Sequence, residues 1–461
     1  MLTYTLEKKP GVPLYEGLYR CIRADILSGK LAPGEKLPSK RALAANLEVS
    51  KITVEGAYEQ LLAEGYIRSQ EKVGYFVEAV AQARRPRQEA PCPEERPQFP
   101  LDLTANNCPD FPFTVWSSLQ RQVMLDLSRR LLQPLPNRGL WELRRAIANH
   151  LAGFRGMQVD PQNILIGAGT DFLYNLLIQL LGRDKVYAVE EPGYSKIRRI
   201  YGAGGVECVG AALDDFGVSP ESLGSAQVLH ISPSHHFPTG LVTPLHRRRQ
   251  LLTWAETAPE RYIIEDDYDS EFRFDAHPLP TMASMDHAGR VIYMNTFSKT
   301  LASSIRISYM VLPPALMADF QKNLGFYSCT VPSFEQHTLA RFLEGGYFEK
   351  HINRMRRAYQ QRRNALVTLL QESGLPLKIL EQDAGLHFLV QVDTALSDDA
   401  LVARLAGKGV KAAALSSYYQ GPVPESARHC LVVNYSGLTE EALEKLRTLL
   451  AEPTPAKGSP M

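Results

Sequence analysis

Lys299 lies in Tyr293-Met294-Asn295-Thr296-Phe297-Ser298-Lys299-Thr300-Leu301, an apolar, strand-like run that ends in hydroxyls, and Arg306 follows seven residues later. Upstream, a second apolar run, Tyr262-Ile263-Ile264, ends in Glu265-Asp266-Asp267-Tyr268-Asp269. An amine, a carboxylate, a phenol, hydroxyls and a guanidinium are the groups that hold pyridoxal 5'-phosphate. The amine forms an imine with the aldehyde, and Asp266 or Asp267 keeps the pyridine nitrogen protonated. Tyr268 is placed to hydrogen-bond the ring oxygen, Arg306 to grip the phosphate, and Thr296 and Ser298 to add hydroxyl donors. Gly167-Ala168-Gly169-Thr170 follows another apolar run and opens a helix expected over 172–181. Small residues there let Ala168, Gly169 and Thr170 bring backbone amides to a phosphate. Tyr194, in Glu190-Glu191-Pro192-Gly193-Tyr194, is placed to stack on the ring. Each residue alone has a plainer reading: a solvated lysine, a glycine turn, a structural ion pair, a core tyrosine. The set together argues for the cofactor.

The elements that must position these groups are short apolar runs alternating with helical stretches from Leu101 onward. Ile164-Leu165-Ile166, Val186–Val189, Val228–Ile231, Tyr262–Ile264, Val291–Met294 and Ile307–Leu312 read as buried strands. That alternation predicts an α/β domain with a mainly parallel sheet, whose functional groups gather in loops at the strand ends.

The first 80 or so residues read differently. Leu14, Leu18, Ile22 and Ile26 form one helical stripe, and Gly29 ends it. Ser39 caps a short second helix, and Ser50 caps a third that ends near Gly65. Ile67-Arg68-Ser69 and Tyr75-Phe76-Val77 then read as a hairpin. Two helices joined by a tight turn and followed by a hairpin make a winged helix-turn-helix, with the third helix in the DNA major groove. Ser50, Lys51 and Thr53 project from its start; Ser39, Lys40 and Arg41 reach phosphates; Lys72 and Gly74 belong to the wing. A small helical dimerisation domain is the plainer alternative.

With 461 residues, 44% of them hydrophobic and 22% charged, the chain suits a multidomain globular protein. No apolar run reaches membrane-spanning length and no signal-peptide core opens the chain, so no membrane partner is expected. Six scattered cysteines, with no CxxC, argue against a disulfide framework and against a metal site. A reducing cytoplasm is the simplest location. The net charge of +1 neither demands nor excludes nucleic acid, since a DNA-binding module can carry its charge locally. A proline- and charge-rich stretch marks a linker, dividing the chain into 11–79, the linker 80–100, and 101–451.

Residues 31–44 (LAPGEKLPSKRALA) and 49–58 (VSKITVEGAY) resemble the core motif of the GntR winged-helix regulators. That family usually has arginine where Lys51 stands; lysine keeps the charge and loses the bidentate geometry. Residues 232–240 (SPSHHFPTG), 265–274 (EDDYDSEFRF) and 295–313 (NTFSKTLASSIRISYMVLP) resemble fold-type I aminotransferases. The two halves together resemble the MocR subgroup of GntR regulators over nearly all of residues 11–450. The resemblance implies a fold-type I domain with a small C-terminal α/β subdomain, binding pyridoxal 5'-phosphate. It assigns Lys299 to the imine, Asp266 to the ring nitrogen, Tyr268 to the ring oxygen, Arg306 to the phosphate and Tyr194 to stacking, with His235 in the segment lining the ring. It also implies a head-to-tail, domain-swapped homodimer reading two operator half-sites.

Two departures stand out. His235-His236 replaces the subgroup's usual His-Gln and adds a titrating group near the ring. Val432 occupies the position of the arginine that grips the substrate carboxylate in aminotransferases. Arg428 is about 13 Å away along a strand, too far to replace it. The expectation is therefore a transcription regulator that binds double-stranded DNA, with pyridoxal phosphate or its aldimine with an amine as the effector state. Vitamin B6 or amine metabolism is the expected field. A working aminotransferase with an added DNA-binding domain is the alternative.

Overall fold

The computed structural model describes residues 2–4, 13–79, 99–105, 110–273, 279–380 and 385–451. The expected linker lies almost wholly outside the described residues. Contacts divide the chain into two units, Met1–Gln98 and Phe99–Met461.

In the first unit, α1 (Leu14–Leu27), α2 (Lys40–Asn46) and α3 (Lys51–Ala63) precede an antiparallel hairpin of Ile67–Gln70 with Gly74–Val77. The four-residue stripe of α1 buries Leu18, Ile22 and Ile26 against Val54, Ala57, Tyr58 and Leu61 of α3. Ser39 and Ser50 accept from the amides of Ala42 and Thr53 at 3.2 and 3.1 Å. Each cap is worth about 1 kcal/mol of helix stability. Lys72 and Gly74 both have positive φ, +61° and +134°, which folds the hairpin tip.

The second unit is built on an eight-stranded sheet. In spatial order its strands are Ile164–Gly167, Ser308–Val311, Val291–Thr296, Tyr262–Asp266, Val228–Ile231, Val186–Glu191, Glu207–Asp214 and Gly217–Val218. The five from Val291–Thr296 through Glu207–Asp214 run parallel; Ser308–Val311 is antiparallel to both its neighbours. Apolar side chains pack both faces, so the inner strands are continuous apolar runs. All six expected strands form. Glu207–Asp214 was missed: it lies toward the sheet's edge, is only partly buried, and carries a glycine.

The helix Tyr347–Glu372 leads to a small subdomain. There an antiparallel sheet orders Leu377–Leu380, His387–Val392, Cys430–Asn434 and Ala413–Ala414. Val432 sits opposite Leu389, and Asn434 opposite His387. Leu101–Asp102 pairs in parallel with Val410–Lys411, tying the unit's first residues to this subdomain.

Candidate cofactor cavity and nucleic-acid interface

The carboxyl ends of the parallel strands converge on a cavity of about 370 Å³. This is where an open parallel sheet places its ligands. Lys299, Asp266, Tyr268, Arg306, Tyr194, Thr170, Thr296 and Ser298 all line it, joined by Val432 and Asn434 from the small subdomain. The sheet thus gathers loops that are more than a hundred residues apart in the chain.

Asp266 ends its strand buried. Its Oδ2 accepts from the Tyr174 hydroxyl at 2.5 Å and lies 3.5 Å from His230 Nε2. His230 is fixed in turn by Tyr201, whose hydroxyl meets Nδ1 at 2.7 Å. Asp266 Oδ1 is buried with no hydrogen-bond partner, as is Ser298 Oγ. Asp267 instead turns away, held by Arg155 at 3.1 Å, the Tyr293 hydroxyl at 2.7 Å and Ser270 at 2.9 Å. Of the two aspartates, Asp266 is the one that lines the cavity, with Oδ1 as a free acceptor.

Burial pushes the Lys299 ammonium below its ordinary value, with Asp269 and Asp266 opposing. Desolvation therefore favours the neutral, nucleophilic amine. Burial also holds the Tyr268 phenol protonated and raises Glu190, on the cavity wall, to about 8. Tyr194 is half exposed and meets the Phe237 ring edge-on at 5.9 Å.

Several expected contacts stand one layer behind the wall. His235 is buried, with Nδ1 2.8 Å from Asp269 Oδ2 and 3.3 Å from the Tyr268 hydroxyl. Its ring packs so closely on Gly385 that a Cβ there would meet it. It supports Tyr268 rather than lining the cavity. His236 does not titrate near neutrality: burial depresses it to about 3, and Nδ1 meets Thr239 Oγ1 at 2.7 Å. The Ala168 amide is consumed by Thr330 Oγ1 at 2.9 Å, and that of Gly169 by the Gly167 carbonyl at 2.8 Å. The amides of Thr170 and Asp171, which open the helix Thr170–Leu181, have no intrahelical partner, and both residues line the cavity. Thr296 Oγ1 is occupied by Ser308 Oγ at 2.7 Å and the Ser298 amide at 3.1 Å.

Sequence reasoning missed Tyr174, His230, Asp171, Lys196, Phe237 and Tyr418 on the wall. Only His230 left a trace, a polar residue inside an apolar strand.

The donor set fits pyridoxal phosphate. Asp266 Oδ1 is free to accept from a ring N–H. Ser298 offers a hydroxyl, and Arg306 lies beside the helix start. Gly169 is needed there, because a Cβ would lie 2.1 Å from Arg306 Nη2. When bound, the group supplies an aldehyde for amines and an electron-withdrawing ring. Val432 lines the same cavity and gives it an apolar side chain. Lys196, Lys299 and Arg306 are the cations among the described lining residues.

In the first unit, Arg41, Lys51 and Lys72 are exposed, and Thr53 is partly so. Lys40 is less free than expected: its Nζ is 2.7 Å from Glu55 Oε1 and lies over the Tyr75 ring. Ser50 bonds Thr53 through both the amide and the hydroxyl, so these two shape the start of α3. Ile52 was overlooked; 79% exposed at the first turn of α3, it suits apolar contact with a thymine methyl.

The family described as "Bacterial regulatory proteins, gntR family" matches residues 14–77, and "Aminotransferase class I and II" matches residues 100–450. A Bacillus subtilis protein, the uncharacterised HTH-type transcriptional regulator YhdI, is 36% identical over 98% of each chain. The probable rhizopine catabolism regulatory protein MocR of Rhizobium meliloti is 31% identical over 95% of this chain and 93% of its own. The chain belongs to the MocR-type GntR regulators. Another relative of this MocR-type chain is the pyridoxine biosynthesis transcriptional regulator PdxR of Corynebacterium glutamicum, 32% identical over 94% of this chain and 93% of its own. Among solved structures, the kynurenine aminotransferase of Pyrococcus horikoshii superposes with a TM-score of 0.65 at 25% identity, covering 76% of the MocR-type chain and 89% of that enzyme. The regulator is thus a DNA-binding helix-turn-helix joined to an aminotransferase-like domain. Among its described residues no helix is long and apolar enough to cross a membrane.

Proposed function

We propose that this regulator binds pyridoxal 5'-phosphate through Lys299 and couples that occupancy to sequence-specific DNA binding. The observation that carries the reading is the cavity's combination of an amine depressed by burial, an orphaned Asp266 oxygen and a helix-start anion cradle, with Val432 facing the same space. Asp266, oriented by Tyr174 and His230, holds the ring nitrogen's proton. Tyr268, braced by His235 and Asp269, donates to the ring oxygen. Arg306 and the amides of Thr170 and Asp171 take the phosphate.

The lining argues for a ligand-sensing rather than a transaminating site. An amino acid needs its carboxylate anchored before its α-proton is presented in a fixed direction. Val432, Phe237 and Tyr418 give that carboxylate no charged partner, and a buried unpaired carboxylate is costly. The effector is then the cofactor itself, or an amine without a carboxylate that joins it. The likeness to PdxR, a pyridoxine biosynthesis transcriptional regulator, favours the first. The coupling requires that the effector bind two DNA-binding states with different affinity. A head-to-tail homodimer would present two winged helices to two half-sites. Phe113, Leu125, Leu132 and Phe326, each more than 70% exposed, support association of the second unit.

The test is the visible absorption of the purified protein with and without pyridoxal phosphate, before and after borohydride, alongside operator affinity under the same conditions. A reducible yellow band and a change in operator affinity are expected. A transamination rate with common amino acids comparable to that of an aminotransferase would overturn the sensing assignment.

A further inference from the structure

Asp171 is an anion in an anion cradle. It is the second residue of the helix Thr170–Leu181, whose free amides and positive dipole end face the expected phosphate. Its Oδ2 lies 2.6 Å from Lys196 Nζ and 3.4 Å from Arg306 Nη2. Arg306 Nη2 also donates to the Ala168 carbonyl at 3.4 Å. All three charged side chains line the cavity and are one-third to one-half exposed, so they are free to change partners.

We propose that Asp171 is a built-in competitor for the cofactor's phosphate, and that Lys196 is a second phosphate-binding cation held in reserve by it. The inference rests on the cofactor reading above. It adds two residues to the site and a consequence for regulation. A carboxylate that already neutralises Arg306 and Lys196 must yield before a phosphate dianion takes them, and it repels that dianion afterwards. Affinity is lowered while the cradle stays intact. A resident catalytic cofactor gains nothing from such a group. A site that senses pyridoxal phosphate does, because a weaker site can empty and refill as the concentration changes. The exposed ion pairs themselves contribute little stability, so the cost of keeping Asp171 is small.

The test titrates the apoprotein with pyridoxal phosphate and, separately, with pyridoxal, following the visible band of the lysine-bound aldehyde. Pyridoxal lacks the phosphate and serves as the internal control. Asp171→Asn is expected to tighten pyridoxal phosphate binding on the order of tenfold, the effect of one unit charge across a solvated contact, and to leave pyridoxal within about twofold. Lys196→Gln is expected to weaken pyridoxal phosphate and spare pyridoxal. Unchanged or weaker pyridoxal phosphate binding by Asp171→Asn would overturn the competitor role, as would a Lys196→Gln protein that discriminates the two aldehydes as the parent does. Should Asp171→Asn fail to fold, competition by inorganic phosphate against pyridoxal phosphate in the Lys196→Gln protein decides the second cation alone. Absence of a band with either aldehyde in the unsubstituted protein would overturn the cofactor reading, and this inference with it.

Discussion

Replacing Gly169 with alanine should separate phosphate recognition from every other part of cofactor binding. Gly169 precedes the helix Thr170–Leu181 with φ 91° and ψ 163°, a conformation that is essentially glycine's alone. A Cβ there would lie 2.1 Å from Arg306 Nη2 and 2.5 Å from Cζ. Two effects follow. The backbone strain costs about 1–3 kcal/mol of stability. The guanidinium, about half exposed and held by the Ala168 carbonyl and Asp171, swings away from the cradle. Hydrogen bonds to a charged group contribute about 1.5–3 kcal/mol. Their loss lowers pyridoxal phosphate affinity by roughly 10- to 150-fold, at about 1.4 kcal/mol per decade. Pyridoxal, with no phosphate to lose, should weaken by no more than about twofold, since Gly169 is not among the residues that line the cavity. The assay is titration of the visible band with each aldehyde, with urea unfolding to read the strain. Equal weakening of both ligands, or of neither, would refute the placement of Arg306 at the phosphate.

Lys299→Ala should abolish borohydride-trapped cofactor, seen as loss of the mass increment on the intact chain, and leave the winged-helix unit folded by circular dichroism; a trapped adduct elsewhere would move the imine to another lysine. Lys51→Ala should lower operator affinity and reduce the slope of log affinity against log salt by about 1, with cofactor spectra unchanged. Ile52→Ala should alter discrimination among operator variants and leave that slope intact; an altered slope would mean the side chain is not at the bases. Glu271 is buried with one oxygen unpartnered, and burial, with Asp267 beside it, raises its carboxyl from 4.5 to about 8. The folded protein therefore keeps a proton that the unfolded chain has released. This stabilising contribution is full below about pH 4.5 and is lost as pH rises through about 8. Denaturant midpoints of the parent should fall more between about pH 5 and pH 9 than those of Glu271→Gln, and parallel curves would show that the carboxyl is already ionised.

Much of this protein was legible in its residues. The buried parallel strands are continuous apolar runs because both faces of the sheet are covered, and each ends in the residues that reach the cavity. Lys299, Asp266, Tyr268 and Arg306 could be picked out because a strand end is a local feature and chemistry crowds there. The caps Ser39 and Ser50 and the α1 stripe are likewise local, and the winged helix followed from them. The strand Glu207–Asp214 was not legible, since a partly buried strand next to the sheet's edge needs no apolar run.

Where the residues by themselves left neighbours open, tertiary structure separated them and assigned free valences. Asp266 and Asp267 are adjacent in sequence, and alternation along the chain sends one to the cavity and the other to Arg155. Ala168, Gly169, Thr296 and Lys40 have suitable groups, but partners from elsewhere in the fold already occupy or crowd them. Asp171 and Arg306 meet although no pattern links them, because Ser308–Val311 pairs with Ile164–Gly167, and Lys196 joins them from the separate helix Ser195–Ala203. A sequence specifies which groups can hydrogen-bond or carry charge. Which of them remain unpaired beside an empty space depends on contacts between distant segments, and only the folded chain makes those.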